Sequence, residues 1–457
     1  KLSNIASIEI PPLPQTLSDC LRSQSSERLR AHGIDPGAIN DRAFYPRVAL
    51  GEFFKDQFDA ILERAGRSGI DVRLKTCCRV TDAISSADGI TLTVRPRHGA
   101  VYTERFDHVV LATAHQWPAH PEVRPGYFAS PWPASDLAQI PPTRIGIRGT
   151  SLTAIDAAVA LAVSHGSFDE EGDTVRYIPS YGADAFHMTM LSRKGLLPEA
   201  DFYGPLPYEP LAICTPQAMD ELVAYDEGDL LDRAFALFKH ELAAADPAYA
   251  AKIDLEDLSL EGFHDRYFAE REEADTFAWA KKNLAEAVKN YRDKFTVPWR
   301  YAILRMHEPI EKLVPFFEQA DYERFSRYFK PVFVDDYATV PHKSIRRMLA
   351  LHEAGKLEIK ALGDQYRMHH RSEGGVNIET DFGTEHFPVF MEAMGQKALG
   401  AKSFPFPSLR AQGIIHDADG SDGNTARGIA IDDQFHPVSN KLPEGQLAPG
   451  TMFQSVD

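Results

Sequence analysis

The sequence predicts an α/β protein with Rossmann-like parallel sheets and a helical insertion. Residues 144–148 have the apolar pattern of a buried strand, residues 152–165 that of an apolar helix, and residues 185–192 that of a second strand. These three segments together predict a βαβ unit. The pattern then changes, because residues 217–246 and 272–293 are rich in helix-forming side chains and contain no proline. A long helical insertion is therefore expected after the βαβ unit.

Helices and strands also alternate before the βαβ unit. Apolar side chains recur at helical spacing after Tyr45 and predict a helix that ends at Gly66 or Gly69. The segments 70–76 and 89–96 have the alternation of half-buried strands, and the apolar run that ends near Ala112 predicts another strand.

A proline-rich segment and a second helix–strand pair delimit the remaining elements. Seven prolines lie between residues 118 and 142, which predicts an irregular connection and a new domain that starts at Thr143. An acidic stretch at 169–173 is expected as an insertion inside the βαβ unit. Further on, a helix over 344–354, closed by Gly355, and a strand over 357–361 restore the α/β alternation.

The composition favours small-molecule partners over nucleic acid or membranes. The 457 residues carry 66 acidic against 49 basic side chains, a formal net charge of −17. Such a surface repels phosphate backbones and anionic lipid headgroups. The chain contains no apolar run near the ~18 residues of a membrane-spanning helix, so we expect a cytoplasmic protein. Monomer and homo-oligomer both remain open.

Metal and disulfide chemistry are disfavoured. The four cysteines lack the spacing of a disulfide framework or a metal site, and the pair Cys77–Cys78 is interpreted as structural, with a redox couple as the alternative. A metal-dependent hydrolase would need His369, His370 and His386, but adjacent residues of a strand point to opposite faces. We therefore predict no metal site.

The turn after residue 148 carries the clearest chemical signal. Gly149, Thr150, Ser151 and Leu152 lie where a strand passes into a helix, and the spacing matches Gly-x-Gly-x-x-Gly/Ala with Ser151 at the second glycine and Ala154 at the third. A helix N-terminus offers unpaired N–H groups and partial positive charge to a pyrophosphate. The turn therefore predicts a dinucleotide site, with a βαβ turn that binds no ligand as the alternative.

The end of the second strand indicates which dinucleotide is bound. That position faces the adenosine ribose, where an acidic side chain favours NAD and a basic one NADP. Here the strand ends in Ser192, Arg193 and Lys194. The basic pair favours NADP, although exposed bases at a strand end are also common in proteins without this function.

Several segments resemble, in the right order, motifs of flavoprotein oxidoreductases with two dinucleotide-binding domains. Residues 109–118, Val-Val-Leu-Ala-Thr-Ala-His-Gln-Trp-Pro, are similar to the Ala-Thr-Gly crossover that leaves the FAD domain, and 390–396 resemble the second crossover. Residues 192–198 and 427–438 are similar to a segment of the NADP domain and to the last strand pair of the FAD domain. On these motifs the chain resembles the bacterial FAD-NAD(P)-binding protein family, which is related to the flavin N-hydroxylating monooxygenases.

The resemblance implies two Rossmann-like dinucleotide-binding domains, one for FAD and one for NADP, with the helical insertion between their parts. It implies these ranges: FAD domain, 1–140 and 381–457; NADP domain, 141–204 and 336–380; helical insertion and substrate or lid region, 205–335.

The resemblance also implies cofactor-binding residues beyond the Gly149 turn. It puts Arg47 near the flavin or the substrate. The residues at the two crossovers, where the flavin and nicotinamide rings would meet, are Ala112, Thr113, His115, Gln116, Trp117, Gly395 and Gln396. His115 is equally explained as an ordinary loop histidine, and no catalytic residue is assigned.

The FAD-phosphate turn of the family is expected before the first residue of this sequence. The chain starts at Lys1, not at methionine, and its first residues already resemble the segment after the first helix of the FAD domain. We therefore expect either an incomplete or processed chain or a protein that has lost tight flavin binding.

The function implied by the resemblance is an FAD-dependent, NADPH-using oxidoreductase, with monooxygenase action on a small molecule as its specific form. NADPH would pass a hydride to the flavin, and the protein would position the reactants and exclude water. The alternative is a non-catalytic, nucleotide-sensing or interaction protein whose flavin site has decayed.

Overall fold

The computed structural model describes residues 5–10, 13–113, 124–225, 228–395, 400–418, 428–432 and 434–438, together with the backbone of 451–453. Over this part of the chain the helices are α1 (Leu17–Ser23), α2 (Ser26–Ala31), α3 (Arg47–Arg67), α4 (Ala134–Leu137), α5 (Leu152–His165), α6 (Pro216–Ala224), α7 (Leu230–Ala245), α8 (Pro247–Lys252), α9 (Leu260–Glu273), α10 (Thr276–Asp293), α11 (Pro298–Glu311), α12 (Gln319–Arg324), α13 (Lys330–Tyr337), α14 (His342–Glu353) and α15 (Pro407–Ala411). The strands are β1 (Cys78–Ser86), β2 (Gly89–Pro96), β3 (Tyr102–Phe106), β4 (Val109–Leu111), β5 (Tyr127–Phe128), β6 (Arg144–Arg148), β7 (Gly166–Glu171), β8 (Thr174–Pro179), β9 (His187–Ser192), β10 (Leu357–Ala361), β11 (Arg367–His370), β12 (Val376–Thr380), β13 (Gly383–Phe387), β14 (Val389–Glu392) and β15 (Thr451–Phe453).

The chain divides into two compact units. The first unit contains Lys1–Ile61 and Val123–Gly395, and the second contains Leu62–Glu122 and Gln396–Asp457. The first unit therefore holds the predicted βαβ region and all of the predicted helical insertion.

A five-stranded parallel sheet organises the first unit and confirms the predicted α/β class. Its strand order is β10-β9-β6-β14-β5, and each neighbouring pair is parallel. Strand β6, helix α5 and strand β9 form the predicted βαβ unit, and β10 adds beside β9. Strand β14 pairs with the other side of β6, so the order of the strands reverses at β6.

Apolar residues on one face of this sheet are buried under helices. Ile145 and Ile147 of β6, and Met188 and Met190 of β9, have no exposed surface. Helix α5 packs its alanines against the strands, and helices α10 and α14 contribute to the same core. The other face, which carries Phe390 of β14, packs against β12 and β13. Strands buried on both faces have a near-continuous apolar character.

The acidic stretch at 169–173 forms the turn of a hairpin. Strands β7 and β8 pair in antiparallel register, and Gly172 supplies the left-handed conformation of the turn, with φ of +56°. Glu170 accepts two hydrogen bonds from Arg347 of α14 and forms an ion pair with Lys343 at 2.5 Å. The insertion is therefore an ordered element attached to α14.

The helical region has its own apolar core. Helices α6 to α9 and α11 to α13 contribute to it, and phenylalanine rings from four positions, Phe238, Phe263, Phe329 and Phe333, lie at its centre with 0% exposed surface. The rings of Phe238 and Phe263 meet edge to face, with centroids 5.1 Å apart. Such aromatic packing stabilises a core beyond its buried area.

Three predictions about local structure before the βαβ unit are wrong or incomplete. Residues 70–76 form no strand, since the alternating Ile70, Val72 and Leu74 are all exposed and have no partner strand among the described residues. The proline-rich connection is not wholly irregular, because β5 and α4 lie in gaps between its prolines. Helix α3 has the predicted extent, but most of its apolar stripe is exposed.

The second unit contains an antiparallel sheet of β1, β2 and β3, and β4 pairs in parallel with β15. Ala83 and Ile90 of this sheet pack against Leu409 and Ile415. Across both units, the described residues contain no helix with the length and apolar character that crossing a membrane requires.

Candidate functional site

The carboxyl ends of β6 and β14 form the most distinctive edge of the first unit. The two strands pair through Arg148 and Glu392. The chain leaves β6 through α5 toward β9 on one side of β6, and β14 lies on the other side. In open α/β sheets, ligands bind in the crevice at such a reversal of strand order. Gly149 and Gly395 follow these two strands within the crevice.

Gly149 is required by its surroundings. Its φ is +130°, a conformation that residues with a Cβ rarely adopt. A Cβ at this position would clash with the carbonyl group of Ala393, coming within 2.8 Å of its carbon atom. The Gly149 N–H donates to the Leu191 carbonyl at 2.7 Å, so the turn is fixed between the ends of β9 and β14.

The N-terminus of α5 is open to a ligand. Ser151 is the N-cap residue, but its exposed side chain forms no capping hydrogen bond. The first N–H groups of the helix therefore keep their donors for an anion. Ala154, at the third position of the motif, is completely buried, as close packing of helix against strand requires.

Thr150 and Ser192 connect the turn to the end of β9. The Thr150 hydroxyl donates to Ser192 Oγ at 3.1 Å, and the same oxygen accepts a hydrogen bond from the Gly195 N–H at 3.1 Å. Thr150 is buried, so its hydroxyl has a structural role. The structure thus brings together the predicted residues at Gly149 to Leu152 and at Ser192.

Arg193 and Lys194 differ in their availability. The Arg193 side chain is 41% exposed, and it forms an ion pair with Asp364 at 4.0 Å. Lys194 forms an ion pair with Glu272 and lies 3.9 Å from the centre of the Phe268 ring. Burial lowers the pKa of Lys194. Of these two cations, Arg193 is therefore the one whose side chain can reach a ligand.

The sequence interpretation missed an ion pair at the same edge. Arg148 Nε donates to Glu392 Oε2 at 2.6 Å, and Arg148 Nη1 donates to the Tyr366 hydroxyl at 3.1 Å. Tyr127 donates to the other oxygen of Glu392 at 3.2 Å. Arg148 and Glu392 are each the last residue of a strand in the parallel sheet. Ligands bind at this edge of such sheets, so the position of both residues could have marked them as candidates for the site.

The remaining predicted site residues are spread over the chain. Arg47 lies against α5, with its guanidinium 3.8 Å from the Asp156 carboxylate. Ala112 and Thr113 are exposed residues of the second unit, directly after β4. Gly395 follows β14 with φ of +87°. The other predicted positions lie outside the described residues: His115, Gln116, Trp117 and Gln396.

Histidines 369, 370 and 386 do not form a shared centre. His369 and His370 are neighbours on β11, and His369 Nε2 lies 3.2 Å from Glu379 Oε2. His386 Nδ1 lies 2.9 Å from the Asn377 side-chain oxygen. Within the described ranges, no group of three or more His, Cys, Asp or Glu residues could hold a metal ion.

Two family models match separate parts of the chain. An FAD-NAD(P)-binding model matches residues 1–116, and the model of the YdhS-like middle domain matches residues 215–337. The second range covers helices α6 to α13. The chain is also 42% identical over 412 residues to the uncharacterized protein YdhS of Escherichia coli, an alignment that covers 90% of this chain and 76% of that protein.

Two solved structures resemble the chain at low identity. The ornithine hydroxylase of Pseudomonas aeruginosa is 13% identical, with 96% of this chain and 77% of that chain covered and a TM-score of 0.45. A cyclohexanone monooxygenase of Rhodococcus sp. Phi1 with bound NADP+ is also 13% identical, with 96% and 73% covered and a TM-score of 0.33. Both scores are below 0.5, so family membership rests on the sequence matches: the chain belongs to the YdhS family of FAD-NAD(P)-binding proteins.

Proposed function

We propose that this protein is an NADPH-using, flavin-dependent oxidoreductase that acts on a small molecule, and that NADPH binds in the crevice between β6 and β14. The observation that carries the proposal is the Gly149 turn, which opens a helix N-terminus at the point where the strand order reverses. The FAD-NAD(P)-binding match at residues 1–116 supports the flavin part.

The pyrophosphate of the dinucleotide is assigned to the backbone from Gly149 to Leu152. Gly149 lets the chain pass close to Ala393 without a side chain in the way. The uncapped first turn of α5 then offers N–H donors and a partial positive charge to the phosphates. Thr150 and Ser192 keep this turn in place through their hydroxyl–hydroxyl bond.

The 2′-phosphate of NADPH is assigned to Arg193. This residue follows β9, the strand whose end faces the adenosine ribose in the fold, and its guanidinium is partly exposed. A guanidinium can pair with two phosphate oxygens, which an ammonium group cannot do with the same geometry. Lys194 forms an ion pair with Glu272, so we assign it no direct contact with the 2′-phosphate. It contributes only to the local positive charge.

The ion pair of Arg148 and Glu392 is assigned a positioning role. It fixes the ends of β6 and β14, and hence the width of the crevice, without requiring contact with the cofactor. Bound flavin would supply the two-electron acceptor chemistry. The described residues between 5 and 113 contain no strand that passes through a glycine turn into a helix, so no residue is assigned to the FAD phosphates.

The proposal extends to the organisation of the chain. Residues 141–204 and 336–380 would bind NADP, 1–140 and 381–457 would bind FAD, and 205–335 would form the substrate or lid region. The YdhS-like match at 215–337 supports a separate role for the region 205–335. The net charge of −17 supports a small-molecule substrate in preference to nucleic acid or an anionic membrane.

Replacement of Arg193 by alanine tests the cofactor assignment. We expect NADPH affinity to fall by about 10- to 100-fold, because a charge-assisted hydrogen bond is worth about 1.5–3 kcal/mol. NADH affinity should stay unchanged, since NADH has no 2′-phosphate. Both affinities can be measured by titration calorimetry. Arg371→Ala is the matched control, because Arg371 is an exposed arginine paired with Glu373 of its own turn. Equal loss for NADPH and NADH would contradict the assignment.

Flavin content and turnover test the enzymatic part. We expect the protein, supplied with FAD, to show the visible absorbance of bound flavin and to oxidise NADPH with uptake of oxygen, as a monooxygenase does. A colourless protein that binds NADPH without oxidising it, even with added FAD, would contradict the enzymatic proposal and favour a nucleotide-sensing protein.

A further inference from the structure

The guanidinium groups of Arg193 and Arg327 face one carboxylate from two different parts of the first unit. Arg193 follows β9, Arg327 belongs to the helical region, and Asp364 lies in the loop after β10. Asp364 Oδ1 is 4.0 Å from Arg193 Nη1, and Asp364 Oδ2 is 3.6 Å from Arg327 Nη2. Two cations from distant parts of the chain thus share one counter-ion.

The backbone fixes the position of Asp364 beside Arg193. The Leu362 N–H donates to the Ser192 carbonyl at 2.8 Å, and the Gly363 N–H donates to the Arg193 carbonyl at 3.0 Å. Gly363 has a φ of +66°, a left-handed conformation that turns the chain directly before Asp364. The loop after β10 therefore follows the end of β9, and the side chain of Asp364 can rotate while its backbone stays beside Arg193.

Arg327 reaches this loop from an unusual turn of the helical region. It lies in the π-helical turn Phe325–Phe329, which joins α12 to α13. Phe325 and Phe329 are buried in the helical core, whereas Arg327 between them is exposed. Single π-helical turns are rare, and they occur frequently at functional sites. The two phenylalanines thus anchor a turn that presents an arginine to the loop after β10.

The contacts of Asp364 with the two arginines are weak. Both distances exceed the about 3.2 Å of an N–H···O hydrogen bond. The side chains of Arg193, Asp364 and Arg327 are 41%, 62% and 59% exposed, so water screens their attraction. Asp364 can therefore leave both partners at little cost.

The neighbouring charged groups at this end of β9 are paired among themselves. Lys194 pairs with Glu272, and His264 Nδ1 lies 2.8 Å from Asp265 Oδ1. Burial also lowers the pKa of His264, which favours the neutral form of its ring. The charge that an incoming ligand meets here is therefore decided by the two guanidinium groups and the carboxylate that they share.

We propose that Arg327 is a second arginine of the 2′-phosphate site and that this phosphate displaces Asp364 when NADPH binds. The inference rests on the proposed function, because it extends the assignment of Arg193. A phosphate monoester carries a charge of about −1.5 to −2 near pH 7 and three strong acceptor oxygens, so it can bind two guanidinium groups at once. NADH brings no such group, so Asp364 keeps both arginines in its presence. The helical region thereby takes part in the choice of cofactor.

The test uses two probes that differ only in the 2′-phosphate, adenosine 2′,5′-bisphosphate and adenosine 5′-monophosphate, on the full chain. Neither probe contains nicotinamide, so calorimetric titration reports on the adenosine end alone. We expect the unaltered protein to bind the bisphosphate more tightly. Arg327→Ala should weaken bisphosphate binding by about tenfold and leave the monophosphate unchanged. Arg266→Ala is the matched control and should change neither, since Arg266 is an exposed arginine of α9 that pairs with Asp254.

Asp364→Asn tests the displacement. The amide keeps the size of the side chain but removes the charge that competes with the phosphate for both arginines. We expect this variant to bind the bisphosphate about three- to tenfold more tightly and the monophosphate as before. A gain in affinity is a result that a merely structural role of Asp364 would not produce. Both altered side chains are exposed, so both variants should fold.

The outcomes separate this inference from the proposed function. If Arg193→Ala weakens bisphosphate binding but Arg327→Ala does not, the role of Arg327 is wrong and the proposed NADPH site stands. If Asp364→Asn binds the bisphosphate no more tightly than the unaltered protein, the displacement is wrong. If the unaltered protein binds the two probes equally, both the assignment of Arg193 and its extension to Arg327 are wrong.

Discussion

Gly149 is subject to two constraints, one on its backbone conformation and one on the space around it. Its φ of +130° disfavours any side chain, and the carbonyl group of Ala393 fills the place of a Cβ. Gly383 has nearly the same φ, +129°, but no atom lies within 4 Å of its Cβ position. A comparison of alanine variants at Gly149 and Gly383 therefore separates the effect of backbone strain from the effect of a steric clash at the crevice.

Gly149→Ala and Gly383→Ala are thus a matched pair of variants. Both should lose about 1–3 kcal/mol of unfolding free energy through backbone strain. Only Gly149→Ala should also weaken NADPH binding, because the turn must move away from Ala393. Urea unfolding and nucleotide titration measure the two effects. NADPH affinity equal to that of the unaltered protein in folded Gly149→Ala would exclude this turn from the site.

Asp201 predicts a pH dependence of stability. Burial, with help from the nearby Glu9 charge, raises the pKa of its carboxyl to about 6, although Tyr291 and Thr339 donate hydrogen bonds to it and Arg42 attracts its charge. The folded state then holds a proton that the unfolded state releases at lower pH. The contribution of Asp201 to stability is therefore present at low pH and declines as the pH rises from about 4 to above 6.

Asp201→Asn should remove this decline. We expect the variant to gain stability relative to the unaltered protein between about pH 4 and about pH 7, by on the order of 2–3 kcal/mol at most. Asp184→Asn, at an exposed aspartate, is the control for the loss of one negative charge. If the difference in unfolding free energy between Asp201→Asn and the unaltered protein is the same at about pH 4 and about pH 7, Asp201 does not titrate in this range.

Single residues were predictable from the sequence where one local rule decides them. The turn at Gly149 and the burial of Ala154 follow from the spacing of the motif, and the place of Arg193 follows from the end of a strand. Their role in cofactor binding stays a prediction. Arg148 and Glu392 were missed because their partnership joins positions 244 residues apart, and only the pairing of β6 with β14 brings them together. Local patterns contain no information about that pairing.

Elements were predicted best where propensity and packing agree. Strand β6 and helix α5 have the predicted bounds, since an apolar strand, a turn and an alanine-rich helix are each locally favoured and all three are buried. The segment 70–76 shows the opposite case. Apolar and polar residues alternate in it as they do in a strand, but among the described residues no sheet packs against its apolar side chains. Alternation predicts a strand only if a partner exists.

Helix α3 shows a related limit of periodicity. Its apolar stripe predicted the helix correctly, yet Val48, Phe54 and Phe58 are 62%, 47% and 45% exposed, and Phe53 is the ring that the N-terminal core buries. A hydrophobic stripe indicates which face of a helix is apolar. It does not determine how much of the stripe the rest of the chain covers.

One boundary between the two units of the whole molecule has no local signal in the sequence. It falls inside α3, between Ile61 and Leu62, where neither proline nor glycine marks a boundary. Only the set of long-range contacts made by each half of the helix reveals it. The parallel sheet of the first unit, in contrast, follows from the repeated order of strand, turn and helix.

Two compact units predict two unfolding transitions. The proposed NADPH crevice lies entirely within the first unit, since Gly149, Arg193 and Gly395 all belong to it. NADPH at about 100 times its Kd should stabilise that unit by about 2.7 kcal/mol and leave the other transition in place. Differential scanning calorimetry with and without NADPH measures both. An equal shift of the two transitions would contradict a site confined to the first unit.

The position of β14 has a consequence for the order of events on the ribosome. This strand lies between β6 and β5 in the sheet, yet Glu392 is 244 residues after Arg148 in the chain. At roughly 5–20 residues per second, synthesis needs on the order of 10–50 s to bridge that interval. The YdhS-like segment at 215–337 emerges in the meantime and can form its own core. The nascent chain thus completes the crevice between β6 and β14 only after the helical region has been made, with two strand edges left open until then.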